Sequence, residues 1–175
     1  MTIALGTYIR HYLGREASIL ECCNQDELIQ MGVRHATSGS VREDRFVIHQ
    51  VQYFTNIKEK DFTEILLECK EYIVLDLGNN YALARNYLLQ CTQTILLGSL
   101  SPWKVSELIS FINDFEKKEK KITWCTICTS FGKEKDKKEI KKKVHISPIP
   151  IPMIEDPLHL TYENSRILTK ILPLS

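Results

Sequence analysis

The sequence predicts an α/β protein, a three-layer α/β/α sandwich around a mainly parallel sheet. Three observations point there. Apolar runs of strand length alternate with amphipathic runs of helix length along most of the chain, the order that strand–helix–strand units impose. The run Glu71 to Asn80 sets four apolar residues, Tyr72 to Leu75, before Asp76 and Gly78, which reads as a fully buried strand carrying a carboxylate to its C-terminal tip. Thr94 to Ser99 is a second such run, followed directly by Ser101-Pro102 at the head of a long amphipathic stretch. Ligand crevices of open α/β sheets lie at the C-terminal ends of strands, so Asp76 is the first place to look for chemistry.

Thr2 to Leu13 places Ile3, Leu5, Ile9, Tyr12 and Leu13 at spacings of two to four, the pattern of a helix packed on a sheet face, and Gly14 ends it. Ala17 to Cys22 reads as a short buried strand and Asp26 to Met31 as a brief helical turn. Gly32 to Asp44 has no period and reads as a long loop, mobile or functional. Arg45 to Thr55 alternates apolar and polar residues with one slip of phase, a single strand near an edge. Asp61 to Lys70 is amphipathic, with Phe62, Ile65, Leu66 and Cys69 on one side. After the Asp76 strand, Asn79 and Asn80 make a turn and cap for a helix from Tyr81 to Gln90.

Ser101 caps the next helix and Pro102 occupies its first turn, where a missing N–H costs nothing. That helix buries Val105, Leu108, Ile109, Ile112 and Phe115. Ile122 to Phe131 reads as a strand, Lys133 to Lys143 as a lysine-dominated connection, and Val144 to Ser147 as a last short strand. Pro148, Pro150, Pro152 and Pro157 stiffen the following loop, and a closing helix is expected from Leu158 to Leu172.

A chain of 175 residues fits one domain, and its 43% apolar and 26% charged residues with a net charge of +1 match an ordinary soluble globular protein. That balance points to neither nucleic acid nor membrane as partner. No run reaches transmembrane length and no signal-peptide pattern is present, so a cytoplasmic location is the expectation. The six cysteines sit within apolar or helical patterns and read as small hydrophobes. Cys125-Thr-Ile-Cys128 has metal or redox spacing, but residues three apart in a strand point to opposite faces and no second pair follows. The five histidines are too scattered along the sequence to define a site. The lysines from Lys117 to Lys143 are interleaved with Glu116, Glu119, Glu134, Asp136 and Glu139 and read as a solvated surface.

Several stretches carry a family resemblance. Thr2-Ile3-Ala4-Leu5-Gly6-Thr7-Tyr8-Ile9 resembles the helix that follows a phosphate loop, and Ser18 to Glu21 the second strand. Ile73-Val-Leu-Asp76-Leu-Gly78 resembles the Walker B or switch II strand, and Gln90 to Ser99 with Ser101-Pro-Trp-Lys104 the next strand and helix. In this order they resemble the ParA/MinD branch of P-loop ATPases, and within it the divergent CpaE/TadZ kind of pilus-assembly and secretion loci. The resemblance implies a SIMIBI-type P-loop NTPase fold, with ATP and Mg as cofactors of the complete family domain. It also implies homodimerisation or self-association and a pilus, secretion or partition protein as partner.

One feature of that family is missing. Its phosphate cradle needs a glycine-rich loop with Lys and Ser/Thr, whose N–H groups and ammonium hold the phosphates at a helix start. None of the seven glycines stands in a Gly-Lys-Ser/Thr context, and Gly132-Lys133 is followed by Glu134. These residues are therefore expected not to hydrolyse ATP. Either the numbering begins at an internal methionine of a longer product, lacking its first strand and phosphate loop, or the chain is a degenerate relative used for binding. The implied first strand lies between the Asp76 strand and the Thr94 strand. Without it two apolar strand edges stay unpaired, at about 1 to 3 kcal/mol per buried backbone group, which favours the first explanation and predicts poor solubility or self-association of the chain from Met1.

The resemblance implies a role for each candidate site residue. Asp76 would hold a magnesium-linked water or sense phosphate; the alternative is a cap for the helix near Asn80. Glu21 would orient an attacking water, or is an ordinary strand-end carboxylate. Thr2, Asn24 and Gly78 would line the nucleotide site, and the loop from Pro150 to Asp156 would hold the adenine, with Asp156 equally suited to cap the last helix. The base-recognising asparagine of the family has no counterpart, since Cys128-Thr129-Ser130-Phe131 stands there. Three readings stay open: most of a ParA/MinD-like ATPase domain, a non-hydrolysing scaffold with partner contacts through Gly32 to Asp44 and Pro102 to Lys118, or an unrelated flavodoxin-like or receiver-like domain.

Overall fold

The computed structural model describes residues 1–23, 27–35, 44–57, 60, 62–79, 81–88, 90–119, 125–130, 133–151 and 153–172. They form two compact units, Met1–Leu89 with Ile154–Ser165, and Gln90–Met153 with Arg166–Ser175. The elements are α1 (Thr2–His11), β1 (Ala17–Glu21), α2 (Glu27–His35), β2 (Arg45–Ile48), β3 (Val51–Phe54), α3 (Phe62–Glu68), β4 (Tyr72–Asp76), α4 (Tyr81–Leu88), β5 (Thr94–Gly98), α5 (Pro102–Glu119), β6 (Cys125–Thr129), α6 (Glu134–Val144), β7 (Ile149–Pro150) and α7 (Tyr162–Ile171).

The first unit holds a four-stranded sheet in the order β2-β3-β1-β4, parallel except for the β2–β3 hairpin. β1 is a central strand, buried at every position, with β3 and β4 on either side and helices on both faces. On one face lies α1, close enough that a Cβ on Gly6 would meet the end of the Ile19 side chain at 2.6 Å and force it to shift. On the other face Leu20, Phe54 and Leu75 pack with Phe62 of α3 and Tyr87 of α4. This is the three-layer arrangement that the alternation of elements predicts.

The second unit has a parallel sheet in the order β5-β6-β7. Its core joins Leu100, Val105, Ile109 and Ile112 from the α5 side with Ile127 of β6 and Ile140 and Val144 of α6. The residues expected inside α5 are inside, with Leu108 partly buried beside them.

Five expectations are corrected. Arg45 to Thr55 is two strands: His49 and Gln50 turn the chain with φ of 46° and 65°, a pair of left-handed residues that closes a two-residue hairpin. The slip of phase was that turn. α2 runs on through Gly32 to His35, so the first residues of the expected loop are helical, while 36–43 lie outside the described residues. Lys133 to Lys143 is largely helix α6, with Asp136, Ile140 and Val144 four apart on its buried side. Val144 to Ser147 is no strand: Val144 ends α6, His145 follows in the left-handed conformation with φ 57°, and the pairing strand is Ile149–Pro150.

The fifth correction bears on the site. β4 is not fully buried: Ile73 is 38% exposed and its neighbours are half-buried, because β1 is the only strand paired with β4 among the described residues. β5 is likewise an edge strand, with Leu97 55% exposed. The two strands that the resemblance places beside an additional strand are thus each at the edge of their own sheet.

One buried group gives a prediction with an unusual sign. Tyr53 is fully buried against Phe46, rings stacked at 4.9 Å, yet among the described residues its hydroxyl has no hydrogen-bond partner, and burial pushes its phenol pKa up. Replacing it by phenylalanine removes an unpaired polar atom and nothing else. Tyr53→Phe is expected to raise stability by about 1 kcal/mol in urea unfolding; a loss of stability would show that the hydroxyl has a partner.

Candidate functional site

The parallel register of β1 and β4 sets Glu21 directly beside Asp76 at the C-terminal ends of both strands, and the Cys22 N–H donates to the Asp76 carbonyl at 2.8 Å. Because α1 starts over this edge, the Thr2 hydroxyl reaches the carboxylate and donates to Asp76 Oδ2 at 2.8 Å, across 74 residues of sequence. The chain then turns sharply through Gly78, whose N–H donates to Asp76 Oδ1 at 3.1 Å. The Cys23 thiol approaches the same oxygen at 3.6 Å. Gly78 has φ +60°, and a Cβ there would lie 2.7 Å from Cys23 Cβ, so glycine is required on two counts.

Three expected site residues, Asp76, Thr2 and Gly78, therefore meet in direct hydrogen bonds, with Glu21 alongside and 4% exposed. Asn24 lies outside the described residues. Pro150 is the second residue of β7, in the other unit. Asp156 does not cap the last helix: its carboxylate accepts from the Leu158 N–H at 2.9 Å and meets His159 Nδ1 at 2.8 Å. The cap of α7 is Thr161, whose hydroxyl accepts from the Asn164 N–H at 3.2 Å while Asn164 Oδ1 accepts from the Thr161 N–H.

Cys23 is the site residue that sequence reasoning left as structural filler. Burial, then the charge of Asp76 and its hydrogen bond, then Glu21, push its thiol up to about 12. It is therefore a thiol donor at neutral pH, not a nucleophile. Nothing in the local pattern of Cys22-Cys23 reveals this, since the carboxylate it serves is far along the chain.

The Thr2 hydroxyl and the carboxylates of Glu21 and Asp76 are oxygen donors of the kind magnesium prefers. Both oxygens of Asp76, however, are already engaged, and its donors are a hydroxyl, a thiol and one backbone N–H. Among the described residues no lysine or arginine side chain is bonded to Asp76, and the Met1 ammonium is a cation that interacts with it. Among the described residues, no group of three or more His, Cys, Asp and Glu side chains is arranged to hold a metal ion.

A second cluster in the same unit gathers three histidines that the sequence leaves scattered. His49, at the hairpin turn, lies 6.1 Å from His11 at the end of α1 and 4.9 Å from His159, centroid to centroid. Burial, then His49, Arg10 and His159, lower the His11 pKa from 6.5 against a hydrogen bond to the His49 backbone that raises it. Above 6.5 folded and unfolded chains both hold a neutral His11. As pH falls below 6.5 the unfolded chain takes up the proton first, so stability declines through the lowered folded pKa. Melting temperature is expected to fall between pH 7 and 5, with a shallower slope in His11→Gln; equal slopes would rule this out.

No family model and no curated protein matches the sequence. Solved structures do match. A ParA family ATPase from Chlorobium tepidum TLS is 13% identical with a TM-score of 0.64, over 99% of this chain and 88% of that one. The MinC:MinD cell division protein complex of Aquifex aeolicus matches at 14% identity and a TM-score of 0.59, over 88% and 75%. A plasmid partition protein from Borrelia burgdorferi B31, solved bound to AMPPNP, matches at 16% identity and 0.59, over 98% and 92%. The chain thus has the α/β fold of the MinD and ParA P-loop ATPases.

Proposed function

We propose that this chain is a cytoplasmic localisation factor built on the ParA/MinD fold, acting in partition or in pilus and secretion assembly by self-association or partner binding, without hydrolysing ATP. The observation that carries the reading is the junction at Asp76. Its carboxylate sits at the strand tip beside the start of α1, where this fold class places its chemistry, but neutral donors tie down both oxygens. An ATPase needs positive charge and amide N–H groups at that point, and the Gly-Lys-Ser/Thr signature that would supply them is absent from these 175 residues.

Neighbours of the fold support the choice of process. They include a cell division protein complex and a plasmid partition protein. The Mg-linked role of Asp76 and the water-orienting role of Glu21 belong to hydrolysing relatives; here Asp76 ties the β4 tip to Thr2 at the start of α1. Imaging of a fluorescent fusion tests the reading. It is expected at discrete positions such as poles or division planes, and a uniformly diffuse signal would contradict it.

A further inference from the structure

Three elements of the first unit bring a histidine each to one exposed spot. His11 ends α1, His49 opens the hairpin turn between β2 and β3, and His159 follows Asp156 on the segment that leads to α7; all three residues are exposed. His49 stands between the others, 6.1 Å from His11 and 4.9 Å from His159. Arg10 lies alongside, its guanidinium bonded to the side-chain oxygen of Gln50, the neighbour of His49.

The charge of this spot is one-sided. Arg10 bonds a neutral amide and, among the described residues, no carboxylate pairs with it. The nearest carboxylate, Asp156, is held by His159 Nδ1 at 2.8 Å and by the Leu158 N–H at 2.9 Å, and the Tyr12 hydroxyl donates to the Leu160 carbonyl at 2.7 Å. Burial is the first cause that opposes a proton on His11, and the like charges of His49, Arg10 and His159 are the next. An anion seated among them removes that second opposition. Rings 4.9 and 6.1 Å apart are spaced as donors gathered round a single tetrahedral group, whereas carboxylates on one face of an extended acidic chain stand about 7 Å apart. The planar fork of Arg10 suits the same phosphate geometry.

We propose that Arg10, His11, His49 and His159 form a proton-linked site for a dianionic phosphate group, which binds as the histidines take up protons. Affinity then rises as pH falls through the histidine range, and the bound dianion in turn raises the proton affinity of the rings. Sulfate is the probe, because it stays a dianion across that range and any pH dependence belongs to the protein. The ring resonances of the three histidines are followed by NMR during titration at constant ionic strength. Saturable shifts are expected, at least about tenfold tighter at pH 5.5 than at pH 7.5, weakened in Arg10→Gln and with a flatter pH dependence in His49→Gln. Equal affinity of the wild-type chain at both pH values, or no saturable shift at either, overturns the proposal whatever the variants do. A second arm at pH 5.5 uses phosphatidylcholine vesicles containing phosphatidic acid to separate the sources of the group. Retention on the vesicles that sulfate reverses assigns a lipid headgroup, and sulfate binding without retention assigns a soluble phosphate compound.

Discussion

Leu20→Ala is expected to destabilise the first unit by about 2 to 5 kcal/mol, the range for truncating a fully buried leucine. Leu20 is 0% exposed, in the middle of the central strand, and packs with Phe54, Phe62, Tyr87 and Leu75. Residues of β3, β4, α3 and α4 close on it, and none can relax into the space without giving up its own ladder or helix contacts. Domains of this kind hold about 5 to 15 kcal/mol in total, so the loss is a large share. Amide exchange reads it directly: β1, β3 and β4 should exchange faster by at least about tenfold for each 1.4 kcal/mol lost. Unchanged protection in those strands would mean that β1 is not the centre of the sheet.

Gly78→Ala is expected to cost about 2 to 3 kcal/mol, from two sources that can be separated. A left-handed φ of +60° costs a residue with a Cβ about 1 to 2 kcal/mol. The Cβ also lands 2.7 Å from Cys23 Cβ, a contact that backbone movement alone relieves, and such movement loosens the Gly78 N–H from Asp76. In a Cys23→Gly background the collision disappears and only the conformational part is left. The cost of Gly78→Ala should then fall to about 1 to 2 kcal/mol. An equal cost in both backgrounds would contradict the close approach of the two turns.

What the sequence reveals here divides by distance along the chain. The β4 tip and α5 were legible because their signals are local: an apolar run ended by Asp76 and Gly78, and a Ser-Pro start followed by a helical period. The hairpin hid because His49 and Gln50 take left-handed conformations that glycine or asparagine usually announce. α6 hid because lysines outnumber its buried anchors, Ile140 and Val144, and β7 because prolines rarely mark a pairing strand. The burial of β4 was overestimated because an apolar run does not say whether a strand is central or at an edge. The bonds from Thr2 and Cys23 to Asp76 span 74 and 53 residues, and the meeting of His11, His49 and His159 is equally long-range. Resemblance placed Thr2 near Asp76; for Cys23 and the histidines no signal existed.

The central proposal is that this chain, whose Asp76 carboxylate is bonded to the Thr2 hydroxyl, the Cys23 thiol and the Gly78 N–H, does not hydrolyse ATP. Phosphate release from ATP with magnesium, measured on the 175-residue chain, tests it most directly. The expected result is release no faster than from buffer alone, unchanged in Asp76→Asn. Magnesium-dependent turnover by the wild-type chain, lost in Asp76→Asn, would contradict the account.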